Sequence, residues 1–522
     1  MDYHFSSHFQ ALIGLLAFVF LSIILWRRTL TSRKLAPEIP GAWPIIGHLR
    51  QLSGTTDKNI PFPRVLGALA DKYGPVFTLK IGMYPYLIVN NWEAAKDCLT
   101  THDKDFAARP TSMAGESIGY KYARFTYANF GPYYNQVRKL ALQQVLSSTK
   151  LEKMKHIRVS ELETSIKELY SLTLVKSNIQ KVNISKWFEQ LTLNIVVKTI
   201  CGKRYCNIEE DEEAQRFRKA FKGIMYVVGQ IVLYDAIPFP LFKYFDFQGH
   251  IKLMKKIYKD LDSILQGWLD DHMMKKDVNN EDQDAMDAML KVTQLNEFKA
   301  YGFSQATVIK STVLSLILDG NDTTAVHLIW VMSLLLNNPH VMKQAQEEID
   351  MKVGKERWVE DTDIKNLVYL QAIVKETLRL YPPVPFLLPH EAVQDCKVAG
   401  YHIPKGTRLH INAWKVHRDP EIWSEPEKFM PERFLMSKAN IDARGQNFEF
   451  IPFGSGRRSC PGISFAALVT HLTFGRLLQG FDFSTPSNTP IDMTEGVGVT
   501  LPKVNQVEVL ISPRLPSTLY VF

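Results

Sequence analysis

FGSGRRSCPG, Phe453 to Gly462, is the stretch on which the fold turns. Its Phe453, Gly456, Arg458, Cys460 and Gly462 fit the spacing F-x-x-G-x-R-x-C-x-G. The glycines let the backbone turn tightly and approach a flat ligand. Cys460 stands at the mouth of a following helix, where the helix N-terminus and its N–H groups stabilise a thiolate. A thiolate so placed is a metal ligand or a nucleophile. A buried free cysteine in a Gly-rich turn is the plain alternative, and the match at every position of the spacing argues against it.

Working outward, ETLR puts Glu376 and Arg379 at i,i+3 on one helical face, where an ion pair forms naturally. PERF (Pro431 to Phe434) lies between it and the cysteine. Further upstream, Ala306 to Leu336 is apolar almost all round, which predicts a helix buried through the centre of a large domain. Polar residues cost free energy there, yet LILDGNDTT (Leu316 to Thr324) holds several. Asp319 lies at i,i+3 and i,i+4 from Asp322 and Thr323 and so faces the same side. A carboxylate in that place needs something positive to meet it, or a turn toward water or a backbone donor.

Together these motifs make the chain resemble the cytochrome P450 superfamily over essentially its whole length. The resemblance implies a mainly α fold with a small β region, a single large haem domain, and one N-terminal transmembrane helix. It makes Cys460 the axial thiolate of haem b, pushing electron density toward O–O cleavage. Phe453 and Gly462 then belong to the haem loop, and Arg458 pairs with a haem propionate. Glu376, Arg379 and Arg433 form a buried structural network. Gly320 opens the central helix locally, Thr323 holds dioxygen and a water, and Asp322 feeds protons toward them. The family often shows W-R-x-x-R after a GPY turn; here GPYYNQVRKL has Tyr134 and Asn135 in the first two places and keeps Arg138. Tyr still donates one hydrogen bond. His390, in PFLLPHEAVQDC, matches the remaining propionate contact.

RLYPPVPFLLPHEAVQDC, YDAIPFPLFKYFDFQGHIK and DMTEGVGVTLPKVNQVEVLISPRL resemble a plant group that includes nicotine N-demethylases, flavone hydroxylases and terpenoid oxidases. This implies a microsomal monooxygenase using O2, with electrons from NADPH through a separate NADPH-cytochrome P450 reductase, since this chain shows no Gly-rich nucleotide fold. Lys139 and Arg457 are candidates for the reductase's acidic docking face. Asp319 replaces the superfamily's usual Ala or Gly, and the nicotine demethylases carry an acid there too. A protonated amine would satisfy it, so the favoured small-molecule substrate is an alkaloid oxidised at a carbon next to nitrogen, by hydroxylation, N-demethylation or iminium-forming ring closure. The second reading is hydroxylation of a flavonoid or terpenoid, with Phe106, Tyr120, Tyr122, Phe125 and Tyr127 supplying stacking. Haem-thiolate proteins that rearrange peroxides tend to lose the acid–alcohol pair, which is kept here, and a haem carrier needs no proton relay.

Composition agrees. The chain has 522 residues, 46% apolar and 22% charged, as in an ordinary globular protein. Lys+Arg exceed Asp+Glu by 62 − 54 = 8 with no dense basic block, which excludes nucleic-acid binding. Five scattered cysteines, Cys98, Cys201, Cys206, Cys396 and Cys460, make no disulfide scaffold and suit a reducing compartment. Phe9 to Trp26 carries no charge, and as a helix spans ~27 Å, close to a bilayer core. Arg27, Arg28, Arg33 and Lys34 follow, so the positive-inside rule puts the remainder in the cytoplasm, on the endoplasmic reticulum membrane. A cleaved signal peptide would need a basic start and a small-residue cleavage site, and both are missing. The expected organisation is a membrane-lipid anchor with basic flank over 1–34, a Pro/Gly hinge over 35–48, and a haem domain over 49–522. Residues 76–82 and 86–91 read as a hairpin. The acidic run Glu209 to Glu213 reads as a solvated helix start.

Overall fold

The apolar stretch becomes one helix, Gln305–Asn337, in the computed structural model, which describes residues 34–521 apart from 57–59, 175–179, 206–210, 275–283, 294–296 and 487–488. Ser304 caps it, its hydroxyl accepting the Thr307 N–H at 3.1 Å. With no polar face, this central helix is covered on all sides. Its first half (Val308, Val313, Leu314, Ile317) shares a core with helices Glu212–Val228 and His250–Met274. Its second half (Leu328, Val331, Met332, Leu335) shares another with helices Ile184–Cys201 and Ile463–Gly480. Each fully buried Leu, Ile or Val contributes ~1.5–3 kcal/mol. Between Leu318 and Leu328 the helix belongs to neither core. That interruption holds Asp319 to Thr324.

The helix runs unbroken through Gly320. Side-chain hydroxyls of the next turn bond back to the carbonyls beside Gly320, an arrangement that favours a bend. Thr323 and Thr324 hydroxyls donate to the carbonyls of Asp319 (2.6 Å) and Gly320 (2.7 Å). Buried Asn321 accepts the Thr192 hydroxyl of helix Ile184–Cys201 at 2.8 Å. The acidic run does start a helix: Asp211 caps Glu212–Val228 by accepting the Ala214 N–H at 3.0 Å.

Nine strands lie among the described residues: β1 (Val76–Ile81), β2 (Tyr84–Val89), β3 (Gln180–Asn183), β4 (His390–Glu391), β5 (Cys396–Val398), β6 (Tyr401–Ile403), β7 (Arg408–Ile411), β8 (Phe481–Ser484) and β9 (Glu508–Pro513). The expected hairpin is β1–β2, paired Val76 to Val89 through Ile81 to Tyr84. Gly82 turns it at φ +63°, a left-handed conformation that glycine adopts without steric cost. β7 adds parallel to β2, and β4 antiparallel to β7, so the sheet order β1-β2-β7-β4 carries His390 inward on its last strand. β3, β9 and β8 form an antiparallel sheet, and β5–β6 a hairpin.

The Pro/Gly stretch 35–48 lies along β1, bridging to it at Glu38–Thr78 and Gly47–Ile81. His48 explains this: fully buried, it donates from Nε2 to the Ile39 carbonyl (2.9 Å) and accepts the Lys80 N–H at Nδ1 (2.9 Å). The expected anchor, Phe9 to Trp26, lies outside the described residues. Among the described residues no helix is long and apolar enough to cross a membrane.

Candidate active site

The interruption in the central helix opens on a mostly apolar cavity of about 310 Å³. Tyr134, Arg138, Asp319, Gly320, Asp322, Thr323, His390, Phe453, Arg458, Cys460 and Gly462 all line it, so residues up to 328 positions apart in the chain share one space. Cys460 stands opposite the central helix, just ahead of helix Ile463–Gly480. Its Sγ accepts the Gly462 N–H at 3.3 Å. Burial pushes the thiol above its ordinary range and that N–H pulls it back in part. Such a thiol ionises readily only against a bound cation. Cys98, Cys201 and Cys396 do not line the cavity; Cys396 sits on β5 near His102 and Asp105.

One side of the cavity is ringed by cations without acids. Arg458 donates to the carbonyls of Ala107 (2.8 Å) and Ala128 (2.5 Å), and its guanidinium lies 4.1 Å from the Tyr134 ring centre. Arg138 donates to the Ser459 carbonyl at 2.7 Å. Arg109 donates to the Pro389 carbonyl at 2.6 Å. None of the three meets a carboxylate among the described residues. Burial, then Arg458, lowers Arg109 to about 9; burial, with Arg138 adding repulsion, lowers Arg458 to about 10. Guanidinium stays charged in proteins, so these buried cations without acids favour an anion beside them. His390 donates from Nδ1 to the Phe106 carbonyl (2.7 Å), and burial, then Arg109, holds it well below its usual range. Its Nε2 is left toward the cavity. The Tyr134 hydroxyl donates to the Arg457 carbonyl at 3.0 Å and accepts from Arg138 Nη1 at 3.4 Å, while its ring meets Arg458.

Across the cavity, Asp319 is already met by a positive charge. Its Oδ1 accepts from Arg124 Nη2 at 2.6 Å and its Oδ2 from the Thr126 hydroxyl at 2.8 Å. The Asp319 side chain is 45% exposed and Arg124 only 4%, so the acid stands in front of the guanidinium. Asp322 accepts the Thr500 hydroxyl at 2.8 Å, and burial raises its carboxyl to about 6.

Glu376, Arg379 and Arg433 lie outside the cavity and brace it. Glu376 is fully buried in helix Val368–Leu380 and accepts from Arg379 (2.7 and 2.8 Å), Arg433 (3.3 Å) and the Met430 N–H (2.9 Å). Arg379 also donates to the His417 carbonyl at 2.9 Å. His417 Nε2 in turn accepts the Ile451 N–H at 2.9 Å, two residues before Phe453. Burial, then Arg379, lowers His417 to about 3, which keeps that nitrogen free to accept. Lys139 and Arg457, the candidate docking residues, are both exposed; Arg457 pairs with Asp103 at 2.6 Å.

Sequence reasoning singled out none of Arg109, Arg124, Thr126 and Thr500. Their bonds to Ser315, Asp319, Asp322 and the carbonyls of Leu388 and Pro389 span 178 to 280 positions, and no local period marks them.

An apolar cavity with a thiol on one wall and acid-free guanidinium groups on its rim fits a flat, dianionic, metal-bearing ligand, and haem is such a group. The chain belongs to the cytochrome P450 family, whose model matches residues 37–509. It is a plant-type monooxygenase similar to proteins of the CYP82 group, with haem held by a cysteine thiolate and electrons delivered by a reductase. A nicotine N-demethylase of Nicotiana tomentosiformis is 51% identical over 98% of this chain and 99% of its own. Vinorine hydroxylase of Rauvolfia serpentina is 49% identical over 98% of each. A xanthotoxin 5-hydroxylase of Arabidopsis thaliana is 44% identical over 99% of this chain and all of its own. Among solved structures, a zebra fish cytochrome P450 with progesterone superposes with TM-score 0.74 at 26% identity, covering 87% of this chain and all of that one.

Proposed function

We propose that Cys460 ligates the haem iron and that the enzyme oxidises a basic alkaloid at a carbon next to nitrogen. Arg109, Arg138 and Arg458 hold the haem carboxylates, His390 stands beside them with its Nδ1 hydrogen already given to Phe106, and Phe453, Gly462 and the Tyr134 ring pack around them. Bound there, haem b supplies oxygen activation, with electrons from NADPH through the reductase. The protein's residues bind, orient and move protons. Thr323 gives its hydrogen to the Asp319 carbonyl, so its oxygen turns lone pairs to the cavity and accepts a hydrogen bond there. Asp322, raised to about 6, takes up and releases a proton near neutrality at the oxygen not held by Thr500.

The substrate reading is carried by one observation: Asp319 presents its carboxylate to an apolar cavity while Arg124 stands behind it. A ligand ammonium meets the acid first, and the carbons on its nitrogen then lie on the central-helix side opposite Cys460. The nicotine N-demethylase resemblance agrees. A neutral ring compound, flavonoid or terpenoid, is the second reading, favoured by the fact that Arg124 already balances Asp319. The test is optical titration of the oxidised haem protein with cyclic amines, flavones and terpenoids, followed by product analysis with reductase and NADPH. Response to amines alone, lost in Asp319→Asn, supports the alkaloid reading; response to flavones or terpenoids with the variant unchanged refutes it.

The proposed setting is the endoplasmic reticulum membrane, with residues 1–34 as single-pass anchor, 35–48 as the join and 49–522 as the cytoplasmic haem domain. Support comes from the uncharged run Phe9 to Trp26 and from a face of exposed apolar residues. Phe239, Tyr244, Phe245 and Phe247 are exposed, as are Trp43 and Ile45. Hydrogen bonds from Met83 N–H to the Ala236 carbonyl and from Gly82 N–H to the Ile46 carbonyl join these segments at the β1–β2 turn. Aromatic rings in such a cluster suit a lipid surface.

A further inference from the structure

Resting on the alkaloid reading above, we infer that Arg124 sets how strongly the cavity discriminates a cation from a neutral ligand of the same shape. Arg124 donates from Nη2 to Asp319 Oδ1 at 2.6 Å and from Nε to Ser315 Oγ at 3.1 Å. Its side chain is almost wholly buried, and no second acid shares it among the described residues. The guanidinium itself lines the cavity, 5.5 Å from the Tyr127 ring centre, and its Nη2 is held on Asp319, the more exposed of the two. Each Asp319 oxygen keeps lone-pair capacity beyond its one protein donor, and the half-exposed carboxylate turns that capacity to the ligand.

A ligand ammonium on that carboxylate feels two opposed charges, the acid in contact and the guanidinium one group further away. The attraction is larger because it is closer, and the repulsion is still felt because the site is poorly hydrated. Arg124 thus lowers the affinity for cations by repulsion, and a neutral ligand feels the pair only as a weak dipole. Thr126 serves as the internal contrast, since it donates to the same carboxylate at 2.8 Å and carries no charge. Arg124 is a specificity-determining residue in this account and not a catalytic one.

Arg124 also ties the 113–128 segment to the central helix, a segment in which Tyr120, Lys121 and Tyr122 all have left-handed φ (+53°, +52° and +67°). A mechanical effect of losing Arg124 would alter every ligand alike, so the test compares an amine with its neutral twin. Equilibrium dialysis of the full-length haem protein is run with N-methyl-2-phenylpyrrolidine and with N-methyl-5-phenylpyrrolidin-2-one, the uncharged lactam of nearly the same shape. Arg124→Gln, which keeps a donor to Asp319 and loses the charge, tightens the amine by about tenfold and leaves the lactam unchanged. The gain disappears in the Arg124→Gln/Asp319→Asn double variant, and Thr126→Val does not reproduce it. Arg124→Met is read in the same way, so the outcome does not hang on one variant folding. An amine affinity unmoved by loss of Arg124, or amine and lactam shifting together, overturns the inference. Asp319→Asn separates the two levels: if it weakens the amine while Arg124→Gln is silent, only the role of Arg124 falls; if it leaves the amine unchanged, the alkaloid reading falls and this inference with it.

Discussion

Glu376→Gln is the substitution whose effect can be worked most fully. The carboxylate accepts four N–H groups, two from Arg379, one from Arg433 and one from the Met430 backbone. The amide leaves one good acceptor, sets an NH2 against guanidinium, and strands two buried positive charges. Removing one partner of a buried ion pair costs ~3–5 kcal/mol, against a total stability of ~5–15 kcal/mol. Arg379 keeps its carbonyl partners at His417, Pro426 and Lys428, so the lower end applies, ~3 kcal/mol. At about 2.1 cal/mol/K per residue, roughly 490 residues unfolding as one unit have an entropy near 1 kcal/mol/K, so the midpoint falls by about 3 °C. Haem release falls further, because the network reaches the cysteine loop through His417 and Ile451. Thermal scans of the haem protein followed by Soret absorbance and by far-ultraviolet circular dichroism measure both. A Glu376→Gln protein with full haem content and both midpoints within a degree of wild type would refute the bracing role; Glu376→Asp, which keeps the charge, should fall between the two.

Three further outcomes follow from the same geometry. Asp322 binds its proton more tightly folded (about 6) than unfolded (~3.9), so its ionisation opposes folding: nothing below about pH 4, growing to about 3 kcal/mol above pH 6. Asp322→Asn should therefore be the more stable protein at pH 7.5 and lose that advantage as pH falls toward 4, while its turnover drops by ~10²-fold or more; denaturant titrations that give the same difference at both pH values would contradict this. Arg458→Leu removes one of three acid-free guanidinium groups, so haem should transfer to apomyoglobin faster than from wild type, and an unchanged transfer rate counts against its anion-holding role. Removing the exposed rings of Phe239, Tyr244, Phe245 and Phe247 as Ser should weaken binding of an anchor-truncated protein to phosphatidylcholine vesicles, measured by flotation.

The parts of this molecule legible in its sequence are those fixed by local spacing. The cysteine loop, the i,i+3 pair Glu376–Arg379 and the all-apolar central helix announce themselves because a few adjacent residues determine their geometry. The β1–β2 hairpin did so through its β-branched and aromatic residues, broken at Gly82 to Pro85. Thr323 and Asp322 were legible as a pair, but not that Thr323 and Thr324 would both bond back to the carbonyls of Asp319 and Gly320. What stayed hidden depends on chain segments that meet only after folding. Arg124 reaches Asp319 across 195 positions and changes the meaning of that acid, from one awaiting a ligand's charge to one already balanced from behind. Arg109 joins the cation rim through carbonyls at 388 and 389, and neither stretch has a period that points to the other. The docking of 35–48 on β1 hangs on the two nitrogens of one buried histidine, His48.

The central claim is that Cys460 carries the haem iron. Its most direct test is the spectrum of the reduced, carbon monoxide-bound protein for wild type, Cys460→His and Cys396→Ser. The account predicts a red-shifted thiolate band in wild type and in Cys396→Ser, and its replacement by an imidazole-type band in Cys460→His. A thiolate band that survives in Cys460→His, or is lost in Cys396→Ser, would contradict it.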